Sequence, residues 1–381
     1  MREDWEYKKL EDISSSVLIE KAKKRFSPND VIRYIDISSI DNINQCLTGT
    51  TSFKMLDAPS RAQQKVEYGD ILISTVRPNL RNIAIVNDDA TNLVASSGFC
   101  VLRINDAALR SYIFYYVVSN KFTAYLEKLT NGANYPAVKE TDVRKALIPI
   151  PPKPTQLSIV SELDKLNELI RIKKEQLKDY DALAQSIFYE MFGDPVVNEK
   201  GWEMISLSEL SMYPNERIAI NQLSPSQYVG VENLIKDRGG VRFSNSLPKA
   251  NSAIAYKEND ILLGNIRPYL KKIWLADKGG GASGDVVIIR ISNRKITPVF
   301  LFKVLSSDSF FEYDNTYTKG AKMPRGDRKA IAKFGVILPP LPLQQSFAHK
   351  IEQIERQKAS VQKTISDLEM LLAARMQHWF D

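Results

Sequence analysis

Histidine and cysteine are scarce in this chain, and their scarcity argues against several kinds of chemistry. The 381 residues include only two of each. Cys46 and Cys100 do not occupy corresponding positions of the internal repeat described below, so we predict neither a disulfide framework nor a zinc site. His349 and His378 lie 29 residues apart in one segment, which suits neither a metal site nor a catalytic triad. The composition favours a cytoplasmic protein with free thiols.

Three further absences concern membranes, nucleotides and methyl transfer. No apolar run approaches the length of a membrane span, and the opening residues MREDWEYKK are charged, so we expect no membrane segment and no secretory signal. A glycine-rich phosphate loop of the Walker type is missing, which argues against ATP hydrolysis. The Asn/Asp-Pro-Pro-aromatic motif of amino-group methyltransferases is also missing, because Pro151-Pro152 follow Ile150 rather than a polar residue. These absences predict a chain that binds rather than catalyses and that holds no cofactor of its own.

The positive charge that is present lies outside two long segments. The net charge is +7, and 44% of the residues are hydrophobic. Residues 155–191 hold five Lys/Arg against seven Asp/Glu, and residues 343–381 hold five of each. The rest of the chain therefore carries +9, which is where a nucleic-acid surface would need it. Ordinary solubility charge is the alternative. At this length we expect two or three domains.

The two segments without excess positive charge are predicted to be long helices that pair with each other. From Ile159 to Met191, apolar residues recur at alternating steps of four and three, with one interruption at Lys173. So narrow a stripe is typical of a coiled-coil seam. The pattern returns 188 residues later, again after a proline-rich run, with interruptions at Lys358 and Arg375. We expect all three interruptions at the solvated edge of the pair or against a partner subunit. The predicted seam consists of Leu163, Leu166, Ile170, Leu177, Tyr180, Ile187, Ile351, Ile354, Val361, Ile365, Leu368 and Leu372.

The remaining segments are two copies of one module. Trp5 and Trp202 open the copies, and residues 69–80 match residues 259–270, including a shared Asp-Ile-Leu and a shared Arg-Pro. Short β-branched runs separated by Gly, Asn, Asp and Pro predict strands. Residues 109–129 predict one helix whose aromatic side chains lie in the core. The framework repeats while the loops diverge, as expected of two recognition modules on one scaffold.

This layout resembles the specificity subunits of type I restriction-modification systems over essentially the whole chain. The most specific motifs are the run Phe-Gly-Asp-Pro that ends at Pro195, the paired Pro-Pro-x-Pro-x-Gln elements before both helices, and the two Asp-Ile-Leu strands. Thr155 and Leu343 stand where many family members have glutamate, a small departure at the helix start.

The resemblance implies an α+β fold with two β-rich target recognition domains, residues 1–153 and 201–341, and two spacer helices, residues 154–200 and 342–381. The helices would form an antiparallel coiled coil, which makes the molecule pseudo-twofold and nearly circular. Each recognition domain would bind one half of a split double-stranded DNA sequence, and the helices would set the gap between the halves. The implied partners are two modification (methyltransferase) subunits and restriction subunits, which use S-adenosylmethionine, ATP and Mg²⁺. This chain itself would be non-catalytic.

Two other interpretations stay open. The chain could be a coiled-coil scaffold whose β-rich modules bind proteins or glycans; binding of that kind would be far less sensitive to salt than DNA binding. Alternatively, it could serve a system in which methyltransferase and nuclease are fused in one partner polypeptide, which only the neighbouring genes distinguish.

Two loops in each module are the candidate DNA contacts, because Arg and Lys bind phosphates while Arg and Asn also suit guanine and adenine edges. The first is the Arg-Pro turn after the Ile-Leu strand, and the second precedes the last strand of the module. The candidates are Arg77, Asn79, Arg81, Asn134, Tyr135 and Lys139 in the first module, and Arg267, Tyr269, Lys271, Lys322, Arg325 and Arg328 in the second. The alternatives are a framework role for Arg-Pro, which occurs in both modules, and plain solvation for the second loop.

Overall fold

The computed structural model describes residues 5–14, 22–130, 136–320 and 322–380. The chain divides into two compact units, residues 1–174 with 363–381 and residues 175–362. Each unit contains one copy of the repeated module and part of each long helix. Within the described ranges, no helix combines the length and the apolar character that crossing a membrane requires. The mixture of helices and sheets makes the fold α+β, as predicted.

The first unit is built from short strands and helices around a small set of sheets. Its strands are β1 (Glu6–Lys9), β2 (Val31–Ile35), β3 (Ile40–Asp41), β4 (Cys46–Leu47), β5 (Thr51–Lys54), β6 (Ala62–Lys65), β7 (Ile71–Ser74), β8 (Ile83–Ile85), β9 (Leu93–Ser96), β10 (Phe99–Leu102) and β11 (Leu147–Ile150). Its helices are α1 (Leu10–Ile13), α2 (Ala22–Arg25), α3 (Ala107–Val117), α4 (Asn120–Lys128), α5 (Glu140–Arg144) and the first part of α6 (Lys153–Phe192). The sheet orders are β5-β2-β9-β6, β10-β7-β8, β1-β11 and β3-β4.

Strand β7 lies at the centre of the first unit. All four of its residues are buried, which explains a continuous apolar run instead of an alternating one. Ile71 and Ile73 pack with the aromatic side chains of α3 and α4, whereas Leu72 packs into a separate cluster against β9 and β10. The predicted core role of the aromatic cluster is confirmed, since Tyr112 and Phe122 are fully buried.

The second unit repeats most of this arrangement. Its strands are β12 (Glu203–Ser206), β13 (Ser211–Met212), β14 (Arg217–Ala219), β15 (Tyr228–Val229), β16 (Ser252–Tyr256), β17 (Ile261–Gly264), β18 (Ile273–Leu275), β19 (Gly280–Ala282), β20 (Val286–Ile291) and β21 (Gly335–Leu338). Its helices are the last part of α6, α7 (Leu207–Leu210), α8 (Pro298–Leu305), α9 (Asp308–Thr316), α10 (Arg328–Ala332) and the first part of α11 (Leu341–Phe380). The sheet orders are β14-β16-β19-β15, β13-β20-β17-β18 and β12-β21.

The internal repeat is visible in the strand pairing. In the first unit β9 lies between a parallel β2 and an antiparallel β6, and in the second unit β19 lies likewise between β15 and β16. The fourth strand of this sheet differs, because β5 pairs with β2 whereas β14 pairs with β16. The copies therefore share a three-stranded centre and differ at its edges, where the sequences also diverge.

Within each unit, the segments of α6 and α11 run antiparallel. In the first unit Lys174 pairs with Glu369 at 2.9 Å, while Glu162, earlier in α6, accepts hydrogen bonds from Arg375, later in α11. The predicted seam residues are buried or half-buried in both units. Two interruptions of the seam, Lys358 and Arg375, are half-buried and ion-paired, the former with Asp181 at 2.7 Å.

The helix predicted over residues 109–129 is wrong as a single element. Helix α3 ends at Val117 and α4 begins at Asn120. Between them Ser119 has an extended backbone, and its hydroxyl accepts a hydrogen bond from the Phe122 amide at 3.3 Å. Such an N-cap satisfies an amide that would otherwise lack a partner and so starts a new helix. Ser307 caps α9 in the same way.

Candidate nucleic-acid interface

The Arg-Pro turn has the same strained backbone in both modules. Arg77 and Arg81 adopt left-handed conformations with φ of 50° and 51°, on either side of the 3₁₀ turn Pro78–Leu80. Arg267 and Lys271 flank Pro268–Leu270 with φ of 54° and 50°. Left-handed backbone costs a non-glycine residue about 1–2 kcal/mol, so the surrounding structure must hold each turn. This turn geometry is therefore part of the framework that the two modules share.

Backbone hydrogen bonds join the two predicted loops of each module into one surface. The Arg77 amide donates to the Pro136 carbonyl at 2.7 Å, and the Val138 amide donates to the Thr75 carbonyl at 2.9 Å. We call residues 75–82 with 136–139 the first loop pair. The corresponding bond from the Arg267 amide to the Pro324 carbonyl, also 2.7 Å, joins residues 265–272 with 319–328, which we call the second loop pair.

In the first loop pair, the predicted contacts differ in how exposed their side chains are. Arg77, Asn79 and Lys139 are exposed. Arg81 is half-buried, and its guanidinium donates to the Asn120 side chain at the start of α4. This bond ties the turn to the helix, so Arg81 has a structural role whatever it binds. Asn134 and Tyr135 lie outside the described residues.

In the second loop pair, Arg267, Tyr269 and Lys322 are exposed. Three other predicted contacts are already engaged within the unit. Lys271 donates to Asp308 at the start of α9, the position that corresponds to Asn120. Arg325 pairs with Asp285 at 3.1 Å, and Arg328 donates to the Gly284 carbonyl at 2.8 Å.

Asp308 is a strongly perturbed carboxylate at this surface. Hydrogen bonds from Lys271 and Arg238, opposed by partial burial, lower the pKa of Asp308 to about 2. The carboxylate is therefore ionised at any physiological pH, and it holds two cations against α9. Arg238 comes from a loop that the sequence reasoning did not select.

That loop and its counterpart are the elements that the sequence reasoning missed. In the first unit, the Asn42 side chain, in the turn that joins β3 to β4, donates to the Leu80 carbonyl at 2.9 Å. In the second unit, the Asp237 amide donates to the corresponding Leu270 carbonyl at 2.9 Å. The two turns share no sequence, so the repeat could not reveal them; their Asn, Asp and Gly content marked them only as turns.

The chain is similar in sequence to several known proteins. Residues 2–179 match the family model described as the type I restriction modification DNA specificity domain. The chain is 25% identical over 241 residues to the type I restriction enzyme HindI specificity subunit of Haemophilus influenzae, an alignment that covers 59% of this chain and 51%, about half, of that relative. It is 23% identical over 413 residues to the MjaIX specificity subunit of Methanocaldococcus jannaschii, covering 97% of this chain and 90% of the relative.

A solved structure shares the fold. It comes from work on complex assembly and conformational transition of the type I restriction-modification system, and it superposes with a TM-score of 0.61 at 22% identity. The match covers 99% of this chain and 98% of the other.

Proposed function

The chain belongs to the family of type I restriction-modification specificity subunits, and we propose that it reads a bipartite DNA sequence for such a complex. The two loop pairs are the observation that carries this proposal. Each brings exposed cationic side chains, Arg77 with Lys139 and Arg267 with Lys322, onto one surface of its module. Because the framework repeats and the loop residues differ, each module is suited to a different half-site.

We propose that residues 1–153 and 201–341 act as the two target recognition domains, and that residues 154–200 and 342–381 act as the spacer. The antiparallel runs of α6 and α11 within each unit support a single coiled coil with pseudo-twofold symmetry. Two modification subunits would dock on it, and restriction subunits would join them to cleave DNA. S-adenosylmethionine, ATP and Mg²⁺ would serve those partners, and this chain would recognise DNA in the cytoplasm without catalysing a reaction.

Footprinting of the chain assembled with its modification subunits tests this function. We expect two protected DNA segments separated by a gap of fixed length, and an affinity that falls steeply as salt rises, because phosphate contacts release counterions. Absence of DNA binding by the assembled complex, or binding to another macromolecule that salt leaves unchanged, would contradict the proposal.

The spacer proposal predicts that helix length sets the gap between half-sites. Inserting seven residues into the middle of both α6 and α11 keeps the heptad frame and lengthens each helix by about 10 Å. We expect the selected gap to grow by about three base pairs, measured by selection from duplexes with randomised gap length. A matched variant carrying the insertion in a surface loop, such as residues 245–249, should keep the original gap. A gap that stays unchanged after the helix insertion would contradict the proposal that the helices set the distance between the half-sites.

A further inference from the structure

Asp314 in α9 is a buried carboxyl group to which the described residues offer no hydrogen bond. Its residue is 1% exposed, and among the described residues neither carboxyl oxygen has a hydrogen-bond partner. The Oδ1 atom of Asn265, at the start of the Arg-Pro turn, is also buried and unpartnered. A buried acceptor without a donor destabilises the folded state, and a charged one does so more strongly, so this arrangement calls for an explanation.

The unpartnered oxygens meet where the second loop pair is joined. The Gly326 amide donates to the Asn265 carbonyl at 3.1 Å, which connects one loop to the other. A Cβ atom built on Gly326 would lie 2.6 Å from Asp314 Oδ1 and 3.0 Å from Asn265 Oδ1. Two acceptor oxygens therefore face the same small space, and a proton on one of them would supply the missing donor.

The charged and titratable groups near Asp314 make hydrogen bonds or ion pairs with other partners. The Tyr213 hydroxyl donates to the Arg328 carbonyl, and the Tyr313 hydroxyl donates to the Ala330 carbonyl. The cations of the adjoining loop are engaged as Lys319–Asp327, Arg325–Asp285 and Arg328–Gly284. Burial without a compensating charge raises the pKa of Asp314 to about 6.

The first module has an apolar residue at the position that corresponds to Asp314. The residue 188 positions before Asp314 is Leu126, which is 2% exposed in the core of its unit. An apolar side chain at this point is thus compatible with the fold. The carboxyl group in the second module is an added feature next to the loops that we assign to DNA.

We propose that Asp314 is a positioning residue that takes up one proton when the second loop pair binds DNA, and that the protonated carboxyl then donates to Asn265 and fixes the two loops. DNA phosphates bring negative charge to this surface and exclude water from it. Both effects disfavour an ionised carboxylate and favour its neutral form. The coupling to DNA rests on the proposed function. The unfavourable ionisation of Asp314 in the free protein does not depend on that function.

Proton uptake measured by titration calorimetry tests the DNA step. The assembled complex binds a duplex carrying its mapped methylation site at pH 7.5, in buffers of different ionisation enthalpy. We expect the wild type to take up between half and one proton more than Asp314→Asn, whose amide can donate to Asn265 without titrating. The logarithm of the wild-type affinity should fall with pH above 6, relative to the variant, with a slope approaching one. Equal uptake by the two proteins overturns the coupling.

Unfolding of the chain without DNA tests separately whether ionisation of Asp314 is unfavourable in the folded protein. Burial raises the pKa of Asp314 in the folded protein, so ionising this carboxyl group lowers the stability of the fold. This loss of stability is absent below the unfolded pKa of about 4 and complete above the folded pKa of about 6. At pH 7.5 the folding equilibrium of Asp314→Asn should therefore exceed that of the wild type by about a hundredfold, and the difference should vanish near pH 3.5. Asp314→Ala offers Asn265 no donor, so at pH 7.5 it should not reach the DNA affinity of Asp314→Asn.

The two arms fail differently. Should wild type and Asp314→Asn unfold alike at pH 7.5, the ionised Asp314 carries no penalty because it accepts from the Asn265 amide in its flipped orientation, which overturns the inference as a whole. A complex that binds no DNA at any pH contradicts the proposed function and overturns only the coupling to DNA.

Discussion

Replacing Phe192 by alanine is expected to destabilise the second unit by about 3–5 kcal/mol, the usual cost of removing a large buried aromatic side chain. Phe192 is the last residue of α6 and is fully buried. Its ring lies 4.8 Å from that of Phe300 and 5.2 Å from that of Phe347, centroid to centroid. Its carbonyl also accepts a hydrogen bond from the Trp202 indole at 2.8 Å. One side chain therefore fastens α6, α8 and α11 in this unit.

The matched variants are supplied by the repeat. Phe380, 188 residues later, is 1% exposed and packs against Tyr112 and Tyr116 in the first unit, so Phe380→Ala should weaken that unit to a similar extent. Tyr189→Ala, at a position 41% exposed on α6, should cost much less. Urea unfolding gives the free energies, and hydrogen exchange by peptide assigns them to a unit. A loss for Phe192→Ala no larger than for Tyr189→Ala would contradict the anchor role.

Removing the exposed arginine of one Arg-Pro turn is expected to relax the specificity of one half-site only. Arg77→Ala should affect the half read by the first module and Arg267→Ala the half read by the second. An arginine that contacts a guanine edge contributes about 1–3 kcal/mol of discrimination, so we expect affinity for the intact site to fall by roughly fivefold to 150-fold. Selection from duplexes with each half randomised in turn measures both effects.

A charge-matched control separates recognition from general electrostatics. Arg294 is exposed and follows β20 at the end of the sheet remote from the turn, because Val286 pairs with Gly264 whereas Ile289 pairs with Ile261. Arg294→Ala should leave the base preferences of both halves intact. If Arg77→Ala and Arg267→Ala weaken binding to all sequences uniformly, the arginines contact phosphates and not base edges.

The repeating framework could be predicted from the sequence because its signals are periodic. Strand β7, the aromatic core and the paired helices each follow from hydrophobic spacing, and the offset of 188 relates the two helices. The anchors Phe192 and Phe380 were missed because they fall one position after the seam residues Met191 and Trp379. At these positions the helices pack against the module cores, a tertiary contact that seam periodicity does not contain.

The candidate interface was less predictable, for physical reasons. Left-handed backbone at Arg77 and Arg267 is unusual for arginine, and the bonds that their amides donate to Pro136 and Pro324 are tertiary contacts that the sequence does not reveal. Nor does residue type distinguish an exposed Arg267 from a Lys271 held by Asp308. The sequence does not mark Asp314 as buried either, because acidic side chains are usually exposed. Sequence periodicity identifies which loops meet, but not which of their charges remain available.

Mapping methylated bases in the source genome, with and without this gene, tests the central claim most directly. We predict that one bipartite motif, two specific halves separated by a fixed gap, is methylated in the parent and loses methylation throughout the genome when the gene is deleted. Restoring the gene with the Arg267→Ala substitution should relax the motif in one half. Methylation that is unchanged by the deletion would contradict the assignment of this chain as the specificity subunit.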